Sequence, residues 1–130
     1  MPEEPGAWRV VLAVAAGGAG GSVARHAANV AVPDEPGTFA WTVLAVNVTG
    51  CALLGVLAGC LSTGRVRHGL TRPFLGVGVL GGYTTFSAFS LNTYDLLDAA
   101  ALAPALAYVG LTLVGCLVAA GAGLWLTERR

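Results

Sequence analysis

The sequence predicts an all-α membrane protein with four transmembrane helices per subunit. Three observations carry this. Of its 130 residues, 55% are hydrophobic and only 11% are charged, whereas average soluble domains carry roughly 25% charged residues. The apolar residues gather into four stretches, each long enough for the roughly 20 residues that a membrane-spanning helix needs. Short polar breaks of turn-forming residues separate them, and no soluble domain fits anywhere. The chain reads as a single domain.

The spans run over about 8–32, 37–64, 73–97 and 99–127. The first contains Arg25. The second is uncharged, as is Pro73–Tyr94 in the third and the whole of the fourth. Pro33-Asp34-Glu35-Pro36, Arg65-Val66-Arg67-His68 and the stretch from Asp95 to Asp98 read as the turns. The acidic start, MPEEPGAW, argues against a signal peptide, which opens on basic residues. Seventeen of the nineteen glycines lie within the apolar runs. Gly17/Gly21, Gly55/Gly59 and Gly78/Gly82 have the GxxxG spacing that lets membrane helices approach closely. Four thin spans enclose little volume, so dimerisation is the natural way to build a pathway.

Orientation follows from the arginines. With four spans, Arg9, Arg65, Arg67, Arg72, Arg129 and Arg130 share one side. Asp34, Glu35, Asp95 and Asp98 lie on the other, where Arg25 is the sole basic residue. Both termini are therefore expected in the cytoplasm. Zero formal net charge and the absence of a basic, aromatic-interleaved patch argue against nucleic acid as a partner.

Two motifs mislead. Gly76-Val77-Gly78-Val79-Leu80-Gly81 matches GxGxxG, but it lies inside an apolar span and not between a strand and a helix. Asn47-Val48-Thr49 matches a glycosylation triplet, but it lies mid-span. Cys51, Cys60 and Cys116 show no CxxC or metal-ligand spacing and read as small apolar fillers.

Polar residues inside the spans say more, because each costs free energy unless it is paired. Asn47 is either glue between helices or a pore donor, its amide offering N–H groups to an anion. The run Gly81-Gly82-Tyr83-Thr84-Thr85-Phe86-Ser87-Ala88-Phe89-Ser90 opens on poor helix formers. A break near the middle of the third span is expected, and carbonyls freed there would suit a hard cation such as Na+. After the break, Phe86 and Phe89 share one face, as do Ser87 and Ser90. The two rings are either packing or a pair of positive edges for an anion. Tyr108, Thr112 and Cys116 form one stripe of the fourth span, either a hydrogen-bonding seam or a wall of an ion path. Arg25 follows Arg9 after fifteen uncharged residues, about 22 Å of helix at roughly 1.5 Å per residue. It therefore lies inside the outer leaflet or snorkels to its edge, where it could draw anions to a vestibule, or cap its helix and pair with Asp34 or a loop carbonyl.

Taken together, these features resemble the CrcB/Fluc fluoride channel family over nearly the whole chain. Gly17-Gly18-Ala19-Gly20-Gly21-Ser22-Val23-Ala24-Arg25-His26 resembles its GGxxGaxxRy motif, with His26 where Tyr is usual. Val46-Asn47-Val48-Thr49-Gly50 resembles its VNxxG motif. The third-span run resembles GGxTTFSxFS, the most specific of the three. The resemblance implies an antiparallel, dual-topology dimer in the bacterial plasma membrane, with two fluoride pathways along the subunit interface. It implies passive export of fluoride that protects the cell from its toxicity. Enzymatic activity is not expected, because no nucleophile–base pair or metal-ligand set lies at a span end. By matching position, Asn47 would donate to fluoride, and Phe86 and Phe89 would present ring edges. Ser87, Tyr108, Thr112 and Arg25 join them as pathway residues. Gly81 and Thr84 would offer carbonyls to a structural Na+ that is not transported. Cys116 departs from the hydroxyl residue typical of its position.

A homodimer inserting both ways should carry little charge bias, yet six arginines lie on one side here. The chain is therefore expected to insert one way and to pair with a reverse-biased homologue. The competing reading, a small four-span multidrug or cation exporter, needs a membrane-embedded carboxylate. The uncharged stretches of the spans, Pro73–Tyr94 in the third, contain none.

Overall fold

A computed structural model describes residues 5–66 and 69–129. The acidic residues before Pro5, His68 of the second turn, and Arg67 and Arg130 of the arginine bias lie outside the described residues. The chain forms α1 (Ala7–Ala31), α2 (Trp41–Ser62), a π-helical segment (Arg72–Leu80), the short α3 (Gly81–Tyr83), α4 (Phe86–Asp98) and α5 (Leu102–Glu128). Four helical stretches, Ala7–Ala31, Trp41–Ser62, Arg72–Asp98 and Leu102–Glu128, are long and apolar enough to cross a membrane. Large apolar side chains such as Leu91, Leu106, Leu117 and Val118 face outward, as they do where lipid is the solvent.

Alternate spans pack side by side. The first packs on the third and the second on the fourth, and each pair runs parallel, as an up-and-down chain requires. Glycine sets both contacts. A Cβ at Gly17 would meet the Phe74 carbonyl and Val79 N, and one at Gly82 would meet the Gly18 backbone. In the second pair, a Cβ at Gly55 would meet the Ala120 carbonyl, and one at Gly123 would meet the Ala52 carbonyl. Backbones touch at these points, so van der Waals contact replaces the hydrophobic driving force that lipid does not supply. In the third span the ladder widens: the Gly81 N–H reaches the Gly76 carbonyl, five residues back.

The small core lies between α2, α4 and α5. It contains Ala40, Val43, Leu96, Ala105 and Tyr108, with Phe39 and Phe89 against it. Loop chemistry fixes the helix ends. Asp34 accepts from the Thr42 N–H (3.0 Å) and the Val43 N–H (3.1 Å), which caps the start of α2. Ala100 takes φ 56° in the tight turn into α5. Arg65 donates to the Thr127 carbonyl (2.7 Å), and Arg129 lies 4.1 Å over the Trp125 ring. Both guanidinium groups thus sit at the C-terminal end of α5, where cations are favoured. The cap at Asp34 has a measurable consequence. Asp34→Ala should cost about 1–2 kcal/mol, read as a lower thermal midpoint of the detergent-solubilised protein, with Glu35→Ala as the neutral control.

Candidate functional site

The site centres on two extended residues in the third span. Thr84 (φ −75°, ψ 157°) and Thr85 (φ −147°, ψ 125°) separate α3 from α4. The surrounding chain satisfies much of the backbone that this releases. Asn47 Nδ2 donates to the Thr85 carbonyl (3.0 Å), and the Thr85 N–H donates to Asn47 Oδ1 (2.8 Å). Thr85 Oγ1 accepts from the Ala88 N–H (3.1 Å) as the cap of α4, and lies 3.2 Å from Ser87 Oγ. Arg25 Nε donates to the Gly82 carbonyl at 3.2 Å, and Ser22 Oγ donates to the same oxygen at 3.4 Å. Gly50 leaves room for the Thr84 methyl, which a Cβ there would meet.

This pattern leaves several carbonyls without a helical donor, those of Gly81 and Thr84 among them. In a continuous helix, Thr85 N–H would bond the Gly81 carbonyl and Ala88 N–H would bond that of Thr84. Both donors are claimed by side-chain oxygens instead, of Asn47 and of Thr85. Gly81 and Thr84 therefore present carbonyl oxygens without a helical donor, and Gly81 lies on the exposed surface.

On the other flank of the break a groove of about 360 Å³ runs between α2, α4 and α5, lined by Asn47, Thr85, Phe86, Phe89, Thr112 and Cys116 among others. Most of its surface is apolar. Thr112 is buried and its hydroxyl has no hydrogen-bond partner. The Tyr108 hydroxyl is also unpaired: Asn92 lies within interacting range of it, outside hydrogen-bond geometry. Buried hydroxyls without partners are uncommon. Aromatic rings continue the track. Phe86 and Phe89 have centroids 5.7 Å apart, Phe89 and Tyr108 5.5 Å, and Phe39 meets Tyr108 edge-on at 5.2 Å. Phe86 is 79% exposed, so the groove is open along that side.

The structure thus brings Asn47, Phe86, Phe89 and Thr112 together, with Ser87 at the helix cap and Tyr108 behind Phe89. The structure bears on two readings that the sequence left open. Arg25 bonds neither Asp34 nor a loop: Asp34 is occupied by α2, and the guanidinium reaches the Gly82 carbonyl beside the break. Asn47 is glue: one of its two N–H groups is spent on the Thr85 carbonyl, and the other makes no hydrogen bond among the described residues. Thr85 escaped notice as a site residue, although adjacent threonines after two glycines were the available signal. Reading the cysteines one at a time also missed a pairing. The contact of Gly55 with Ala120 sets a register that, four residues earlier, puts Cys51 opposite Cys116, and both line the groove.

The sequence profile of the family described as CrcB-like protein, Camphor Resistance (CrcB), matches residues 12–124. The chain is 48% identical over 115 residues to a protein of Thermobifida fusca named fluoride-specific ion channel FluC 2, covering 88% of this chain and 85% of that one. It is 40% identical over 126 residues to FluC 1 of Streptomyces coelicolor, named likewise, covering 94% and 82%. A fluoride-specific ion channel FluC of Pseudomonas fluorescens is 44% identical over 120 residues, covering 92% and 97%.

Proposed function

This chain belongs to the CrcB-like protein family, and from that premise we propose that it is a fluoride-specific ion channel which lets the anion leave the cell passively. The observation that carries the reading is the groove itself, where neutral donors converge and no carboxylate intrudes. A small anion in a low-dielectric medium costs tens of kcal/mol if nothing replaces its water. The remaining Asn47 N–H, the Thr112 hydroxyl and the positive edges of Phe86 and Phe89 replace part of that shell. None carries a full positive charge, so none holds the ion too tightly for it to move on. Arg25, beside the break, adds positive potential without entering the groove. Ser87 and Tyr108 extend the polar track at either end. Hydrogen fluoride that crosses the membrane as a neutral acid dissociates inside, and the channel returns the anion down its own gradient.

The carbonyls of Gly81 and Thr84 suit a structural Na+. They are hard oxygen ligands, and their helical donors are diverted to Asn47 and Thr85. When bound, the ion would supply a fixed positive background for the anion. The groove's open side and the exposed position of Gly81 favour a second subunit that completes both sites. That subunit lies in the opposite orientation within the bacterial plasma membrane. The arginines at one end of the bundle favour cytoplasmic termini and one-way insertion, so a homologue of reverse bias is the partner that charge selects.

Reconstitution into liposomes tests this, with fluoride efflux read by an electrode. The chain together with its homologue should pass fluoride and exclude chloride, and Phe86→Ile should slow efflux by at least tenfold, about 1.4 kcal/mol of lost stabilisation. Silence from the full assembly would refute the channel reading. Robust efflux from this chain as sole subunit would refute the heteromeric one.

A further inference from the structure

Helices α2 and α5 meet in register along a ladder of four-residue steps. Gly55 rests on the Ala120 carbonyl and Gly59 on that of Leu124. Continued toward the groove, the same steps pair Cys51 with Cys116 and then Asn47 with Thr112. All four of these residues line the groove. The two thiols lie within interacting range across the seam. Both are free and partly buried, and among the described residues no cluster of three or more His, Cys, Asp or Glu exists to complete a larger metal site.

We infer that Cys51 and Cys116 form a two-coordinate site for a soft metal ion of the mercury(II) class, seated one helical turn along the groove from Asn47 and Thr112. Soft thiolates select soft ions, and a pair without further ligands suits an ion that accepts linear coordination. Charge favours the divalent ion. Mercuric chloride is neutral and enters apolar surroundings. Each thiol then gives up a proton, two mercury–sulfur bonds form, two mercury–chloride bonds break, and two protons and two chlorides leave. No electrons change hands. The bis-thiolate product is neutral, so it avoids the cost of a net charge in a low-dielectric site. Cys60 lies two and a half turns further along α2, outside the groove lining, and takes no part.

Binding rests on the geometry alone, whereas its effect on transport rests also on the channel reading, so two measurements separate them. The complete assembly in lipid is treated with mercuric chloride, washed with excess monothiol and weighed by native mass spectrometry. One mercury per chain should remain. Cys51→Ala and Cys116→Ala should each lose retention by roughly a hundredfold, the gain expected from holding a second ligand in place. Cys60→Ala should retain the metal and keep normal efflux. Mercury should block fluoride efflux of the wild-type and Cys60→Ala proteins, and dithiothreitol should restore it. Equal retention after loss of Cys51 or Cys116 would overturn the site. Retention with undiminished efflux would overturn its place in the ion groove.

Discussion

Asn47→Asp should reduce fluoride efflux by at least a hundredfold while leaving the protein folded. The exchange is nearly isosteric and keeps the oxygen that accepts from the Thr85 N–H. It removes the Nδ2 group, which now donates to the Thr85 carbonyl and, on the channel reading, offers its second N–H to the ion. A carboxylate there also meets the permeant anion with like charge. At about 5 Å and an effective dielectric of about 20, that repulsion is roughly 3 kcal/mol, a factor of a hundred or more in rate. Asn47→Leu separates the two roles of the side chain. It strands both the N–H and the carbonyl of Thr85, at about 1–3 kcal/mol for each orphaned group, so it should lower the yield of monodisperse protein as well as transport. Efflux from Asn47→Asp within a few fold of wild type would mean that the ion does not pass this amide.

The four spans were legible because lipid imposes a simple rule: long apolar runs, few charges, and polar residues only at the ends. Asn47 and the phenylalanines stood out for the same reason, as exceptions to that rule. What the sequence withheld was pairing. Arg25 had several plausible partners within reach of its long side chain, and nothing local distinguished the Gly82 carbonyl from Asp34. Thr85 acts through its backbone as much as through its hydroxyl, and a backbone group carries no residue-specific signal. The opposition of Cys51 and Cys116 depends on the register of two helices more than sixty residues apart in the chain. That register is set by Gly55 against Ala120, a contact that composition and spacing do not specify.

Gly21→Ala should cost the most folded protein of any single-methyl change in the chain. A Cβ at Gly21 would collide with the Val79 carbonyl oxygen and lie 2.8 Å from Tyr83 N and 2.9 Å from Val79 C. All three are backbone atoms, which cannot rotate aside as a side chain can. The first and third spans would have to separate, and Arg25 and Ser22, one turn or less away on the same helix, would lose the Gly82 carbonyl they share. The expected penalty lies at or above the upper end of the about 1–3 kcal/mol typical of overpacking, and the release of the break from its supports adds to it. Gly20→Ala is the matched control, because nothing lies within 4 Å of a Cβ at its neighbour in sequence. There, the alanine should be neutral or slightly stabilising, since it lowers the backbone entropy lost on folding. The comparison is read as monodisperse yield and thermal midpoint in one detergent, with fluoride efflux measured on whatever folds. Equal behaviour of the two variants would mean that the first and third spans do not pack through this glycine face, and the geometry that holds the break in place would have to be sought elsewhere.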